Sequence, residues 1–165
     1  MTNELIWNED VLTEYKNTKL LQLFVKLCNC ANSDKSVELT IRKMYRKSSD
    51  EIGTTSAIIN RFLAVQVTKE EAEVLTKWIN AFLKKSSSRK PWPDGIQDEL
   101  FQAQKGKCAY CGADLSKVKM HIDHIIPFKY VGDELEDNYQ ALCSTCNEKK
   151  KASVDFYFLK MIGLI

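Results

Sequence analysis

Two Cys-x-x-Cys pairs stand 31 residues apart in this chain, Cys108–Cys111 in KCAYCG and Cys143–Cys146 in LCSTCN. The short loop inside each pair lets two thiolates reach one ion at about 2.3 Å, so the two pairs make a full tetrahedral set for zinc. This constrains the fold more than any other feature, because both pairs must converge in space. A plain zinc ribbon separates its pairs by about 15–20 residues. A structured element is therefore expected between them, with Zn2+ in a structural role.

The remaining cysteines, Cys28 and Cys30, end an apolar helical stretch and read as ordinary thiols. Cysteines in a reducing compartment are thiols or metal ligands before they are disulfides. The N-terminus, MTNELIWNED, lacks the basic start and apolar middle of a signal peptide. No apolar run approaches the ~20 residues of a membrane span. A cytoplasmic location and no membrane partner are expected.

Taken in order, Asn8 to Cys30 carries apolar residues at helical spacing, with Asn8 or Thr2 as the cap and Asn32-Ser33-Asp34 as the break. Val37 to Lys47 is ambiguous: VELTI alternates as a strand does, while its continuation favours a helix. Gly53-Thr54-Thr55 reads as punctuation before an apolar run from Ser56 to Val67. Thr68 and Glu71 form a capping box for a helix from Lys69 to about Lys85, with Lys84 and Lys85 complementing the dipole at its end. Ser86 to Pro93 has linker composition. Asp94 is expected to cap a short helix that ends at Gly106. The division is residues 1–88, a helical region of unassigned role, and 89–165, where the chemistry lies. No internal repeat is visible.

Between the cysteine pairs, His121-Ile122-Asp123-His124-Ile125-Ile126-Pro127 alternates and reads as a strand stopped by the proline. His121 and Asp123 then share a face and His124 points the other way. Gly132-Asp133 suits a turn, and Leu142 to Lys151 leads into a helix bearing the second knuckle. The order is strand, loop, strand, helix.

The pattern C-x-x-C, then D-H-I-I-P, then N-x-Q-x-L-C-x-x-C-N-x-x-K resembles the HNH, or ββα-metal, endonucleases, over roughly Lys107 to Ser153. The resemblance implies an α+β, mostly helical chain: an α-helical N-terminal region and a C-terminal zinc-stabilised ββα-metal domain. It implies a phosphodiester hydrolase in which Asp123 and Asn147 hold a catalytic Mg2+ or Mn2+, His124 is the general base and Asn138 orients it. Asn147 stands where many relatives carry His; its neutral amide oxygen still suits a hard cation. His121, on the Asp123 face, is a further candidate for the ion or a phosphate. Lys149, Lys150 and Lys151 are candidates for flanking phosphates.

Net charge is +2, from 24 basic and 22 acidic residues. Such a balance does not announce a nucleic-acid surface, which needs local positive charge. The expectation is a nuclease acting on DNA before RNA, helped by local lysine clusters or by a protein partner held through residues 1–88. Small HNH proteins with an extra helical part resemble effectors of antiphage or restriction systems, an antiviral defence role. Two readings stay open beside it: an RNA-cleaving toxin using the same site, and a zinc-built binding module without catalysis.

Overall fold

The computed structural model describes residues 8–165, which are mostly helical with one two-stranded sheet. They form two compact units, each discontinuous in sequence. One holds the chain up to Thr18, Ser88–Phe128 and Glu136–Ile165; the other holds Lys19–Ser87 and Lys129–Leu135.

In the second, helical unit the ordering force is apolar burial. Helix α1 (Glu9–Ser33), which belongs to this unit from Lys19 on, starts on Asn8, whose Oδ1 accepts from Val11 N at 2.9 Å. The alternative cap, Thr2, lies outside the described residues. Asp34 breaks α1 and caps α2 (Lys35–Arg46) by accepting from Ser36 N. The strand-like alternation of VELTI yields to the helical period, which places Ile41 in the core. Asp50 caps α3 (Glu51–Leu63) through the N–H of Gly53. Gly53 thus belongs to the first turn of a helix and does not interrupt it, contrary to the sequence expectation. That helix also stops earlier, at Leu63, where Ala64 turns left-handed with φ of 54°.

Helix α4 (Lys69–Lys84) carries the expected capping box, with Thr68 and Glu71 bonded reciprocally. Its Leu75 and Ile79 join Phe24, Ile41, Ile58 and Ile59 in the core. Phe24 meets Trp78 at 5.7 Å between ring centroids. Thr55 and Thr76 are buried among them. Their hydroxyl oxygens lie 2.6 Å apart; one donates to the other, which donates back to its own helix carbonyl, so neither is left unsatisfied. Burial pushes the Cys28 thiol up to about 12.

The other unit is smaller in its core and richer in polar ties. Helix α5 (Ile96–Ala103) begins at Gly95, whose φ of 77° only glycine adopts freely. Asp94, the expected cap, makes no capping bond. Strands β1 (Met120–His124) and β2 (Tyr139–Cys143) pair antiparallel, with Asp123 opposite Gln140 and His124 opposite Tyr139. β1 ends at His124, before the proline. The reason is Asn138: its backbone oxygen takes Ile125 N, and its amide takes both the N–H and the C=O of Ile126 at 2.7 and 2.8 Å. No backbone group of Ile126 is left for a ladder.

A short helix, α6 (Phe128–Val131), follows, then the expected turn at Gly132, φ 59°. Helix α7 (Ser144–Lys150) packs on both strands. Helix α8 (Phe156–Met161) is an element that the sequence pattern did not signal. The outer edge of β2 is closed by a side chain. Gln104 donates to Ala141 O at 2.9 Å and accepts from Ala141 N at 2.8 Å, copying one rung of a missing strand. No helix among the described residues is long and apolar enough to cross a membrane.

Candidate active site and metal centre

The four knuckle cysteines come together. All four Sγ atoms lie within 4.8 Å of one another, and Cys111 and Cys143 are 3.7 Å apart. A tetrahedron with bonds of ~2.3 Å separates its sulfurs by about 3.8 Å, so the cage is the right size for zinc. Its donor set is all sulfur, which suits zinc over hard cations. Cys143 N donates to Cys108 Sγ at 3.3 Å, and Cys146 N donates to Cys143 Sγ at 3.4 Å. Lys160, on α8, reaches Cys146 Sγ at 3.9 Å.

Such N–H groups offset negative charge on sulfur and fix the ligands' directions. Burial raises the Cys108 thiol, but N–H groups of Cys143, Cys111 and Tyr110 outweigh it and bring it to about 7. Cys146 moves up, through burial and its neighbouring thiols. Four thiolates in this volume repel one another, and a divalent cation relieves that repulsion. The apolar shell consists of Leu115, Ala141 and Leu142, with Leu100 and Phe101 of α5 against them.

The sheet carries this cage at one end and Asp123 and His124 at the other. Cys143 pairs with Met120 in the first register position, and Tyr139 with His124 in the last. Asp123 is held from two sides: Gln140 Nε2 donates to its Oδ2 at 3.0 Å, and Lys150 Nζ lies 2.9 Å from the same oxygen. Both bonds converge on Oδ2, leaving Oδ1 for a cation. A carboxylate oxygen and the amide oxygen of half-buried Asn147, on α7, are the hard donors that Mg2+ or Mn2+ takes. His121, half-buried, is opposite Leu142 on the Asp123 face.

His124 is 6% exposed and ringed by aromatic side chains. Trp92 lies at 5.1 Å, Tyr139 at 5.4 Å and Phe128 at 5.7 Å between centroids. Trp92 comes from the stretch with linker composition. It is 39% exposed, and it packs on both His124 and Tyr139. Asn138, expected beside the imidazole, spends its amide on Ile126. It acts on His124 through the two-residue backbone link, fixing where β1 stops.

The three lysines part company. Lys149 and Lys151 are exposed, but Lys150 is 2% exposed and donates to His124 O at 3.0 Å while pairing with Asp123. An ammonium so enclosed does not present itself to a phosphate from solution. The sequence reading missed this role, and also missed Gln140 and Tyr110. Tyr110 accepts from Gln140 Nε2 at 2.9 Å and stacks on Tyr157 at 5.2 Å. The only sequence signal for Lys150 was its place one helical turn after Cys146, in a run of like residues.

Residues 108–162 match the family model described as HNH endonuclease. No curated protein and no solved structure matches the chain. The sheet, α7 and the cysteine cage all lie within the matched residues, and the C-terminal part of the chain is an HNH domain with a four-cysteine cluster that suits zinc.

Proposed function

We propose that the chain is a metal-dependent endonuclease that hydrolyses phosphodiester bonds in DNA, with His124 as general base and Asp123 and Asn147 as the ligands of a divalent cation. One observation carries the reading: the Asp123–His124 pair ends a strand on which α7, the helix bearing Asn147, is packed, within the segment that matches the family.

In this mechanism the imidazole of His124 takes a proton from water at a ring nitrogen. Tyr139 and Phe128 hold the ring's tilt, and Trp92 shields it until substrate arrives. Gln140 and Lys150 fix the Asp123 carboxylate so that Oδ1 keeps its direction. Asn138 keeps the strand end where it is. Lys149 and Lys151, both exposed, are placed for flanking phosphates. His121 contributes from the Asp123 face. When bound, the cation supplies charge for the phosphate and the departing 3′ oxygen, giving 5′-phosphate and 3′-hydroxyl ends. Residues 89–165 form the nuclease part and 1–88 a part that serves partner or substrate, within an antiphage or restriction system.

The test is cleavage of supercoiled plasmid and of total RNA by the full chain with Mg2+ or Mn2+, beside His124→Ala. The expected result is metal-dependent nicking of the plasmid, reduced about 100-fold or more in the variant. RNA cut in preference to plasmid would overturn the DNA assignment. A folded, zinc-loaded wild type that cuts neither would overturn autonomous catalysis.

A further inference from the structure

The near-neutral total charge conceals an uneven distribution. From Lys35 to Lys47 there are five basic residues and one acid, Glu38. Glu38 is committed to Lys35 and Arg42, at 2.8 Å each. Arg42 is spent further, because its Nη2 donates to Leu83 O at 2.7 Å and ties α2 to the end of α4. What is left is Lys43, Arg46 and Lys47, all exposed, and none has an acidic partner among the described residues.

These cations flank two grooves on either side of one stretch of α2. Arg42 and Arg46 line the first, with Tyr45, Asn80 and Lys84. Lys43 and Lys47 line the second, with Thr40 and Arg61. Each flank is thus an i, i+4 pair, one helical turn apart, joined by a cation from a neighbouring helix. Arg61 and Lys84 likewise have no acidic partner among the described residues. The neighbouring acids are occupied: Asp50 caps α3, and Glu51 accepts from Asn80.

Cations in the last turn of a helix also complement its dipole, which explains one or two of them on α2. It does not explain charge continued sideways onto α3 and α4. Protein interfaces are built around buried aromatic and apolar anchors, and none of these groove residues is an exposed large hydrophobe. A rod with positive charge along both flanks suits a polyanion whose charges run in two rows. A helix is about 10–12 Å across with its side chains, and the major groove of B-DNA, bordered by two phosphate backbones, is about 12 Å wide.

We infer that the C-terminal half of α2, with Arg61 and Lys84, is a sequence-independent binding surface for the phosphate backbone of duplex DNA. It goes beyond the nuclease reading, although it rests on that reading for DNA as the polymer. It also gives the helical unit a role that needs no second protein.

The experiment is binding of a fluorescent 20-base-pair duplex to the full, zinc-loaded chain in EDTA-free buffer without Mg2+ or Mn2+, across a salt series. The triple variant K43Q/R46Q/K47Q is compared with wild type and with K26Q/K69Q/K77Q, which removes equal charge from other exposed positions. Loss of three phosphate contacts lowers the slope of log K against log salt by about 3. The expected result is that fall, with at least tenfold weaker binding, in the first variant only. Equal weakening in both variants would reduce the effect to net charge and overturn the proposal. So would unchanged binding in the first. Binding is read without cleavage, so an inactive His124 site would leave this result standing.

Discussion

The helical unit encloses Phe24, Ile41, Ile58, Ile59, Leu75 and Ile79, all essentially inaccessible, around a single hydrogen-bonded threonine pair. The HNH unit encloses three of the four knuckle cysteines, a histidine, a lysine, an asparagine and a glutamine, with few large apolar side chains among them. The first is closed by removing apolar area from water, worth about 25 cal/mol per Å2. The second relies on directed bonds and on one cysteine cluster that suits zinc. Shape is kept by apolar packing; the HNH unit must also hold polar groups in place for chemistry, and it does so with fewer buried apolar side chains than the helical unit.

Removing zinc should break the comparison most sharply. Structural zinc contributes about 10 kcal/mol or more in small domains. With chelator and reductant, hydrogen exchange should rise across 104–128 and 136–150 by orders of magnitude while 51–84 stays protected. Uniform exchange in both would mean that the two units do not differ in this way. Next in size is Phe24→Ala, which should cost about 3–5 kcal/mol by urea denaturation.

Lys150→Met tests the polar counterpart. It leaves the Asp123 carboxylate, 15% exposed at its side chain, without its ammonium. A loss of about 3 kcal/mol is expected, partly restored by adding Asp123→Asn. A neutral result would place Lys150 among the solvated lysines. Thr68→Ala, which removes one half of the capping box, should cost about 1 kcal/mol in the helical unit.

The core of the helical unit and the zinc cage should also weaken at opposite ends of the pH scale. Cys28 and Tyr45 are both pushed up to about 12 by burial. Their neutral forms are favoured in the fold, so the unfolded chain ionises first, and the stability they contribute is lost as pH rises from about 9 toward 12. The zinc cage loses its ion as its thiolates take up protons, so it weakens as pH falls. Cys28 should resist iodoacetamide at pH 8 in the folded chain, read by mass spectrometry after digestion.

Where local chemistry decided the outcome, the sequence was legible. The Thr68–Glu71 box, the two cysteine pairs and the turn at Gly132 depend on neighbours a few residues away. Gly53 was misread because the pattern marks a glycine as a break, whereas Asp50 three residues earlier makes it a capped first turn. Asp94 was misread for the converse reason, as Gly95 supplies the left-handed residue that starts α5. Trp92 and Lys150 were illegible. Nothing near them in sequence says that one covers His124 or that the other bonds to the chain 26 residues earlier. The same holds for Asn138: its family role suggested the imidazole, and its amide is on the Ile126 backbone.

Gln104 has a consequence for how copies of this chain behave toward each other. A two-stranded sheet exposes unpaired N–H and C=O groups along its margin, which can template another chain. The Gln104 amide occupies both backbone groups of Ala141, and Ala109 N adds a second donor to the same carbonyl. An incoming strand would have to displace a side chain that is already tethered, at far lower entropic cost than a free peptide. Gln104→Ala would uncap that margin, and the variant should aggregate more readily than wild type at equal concentration.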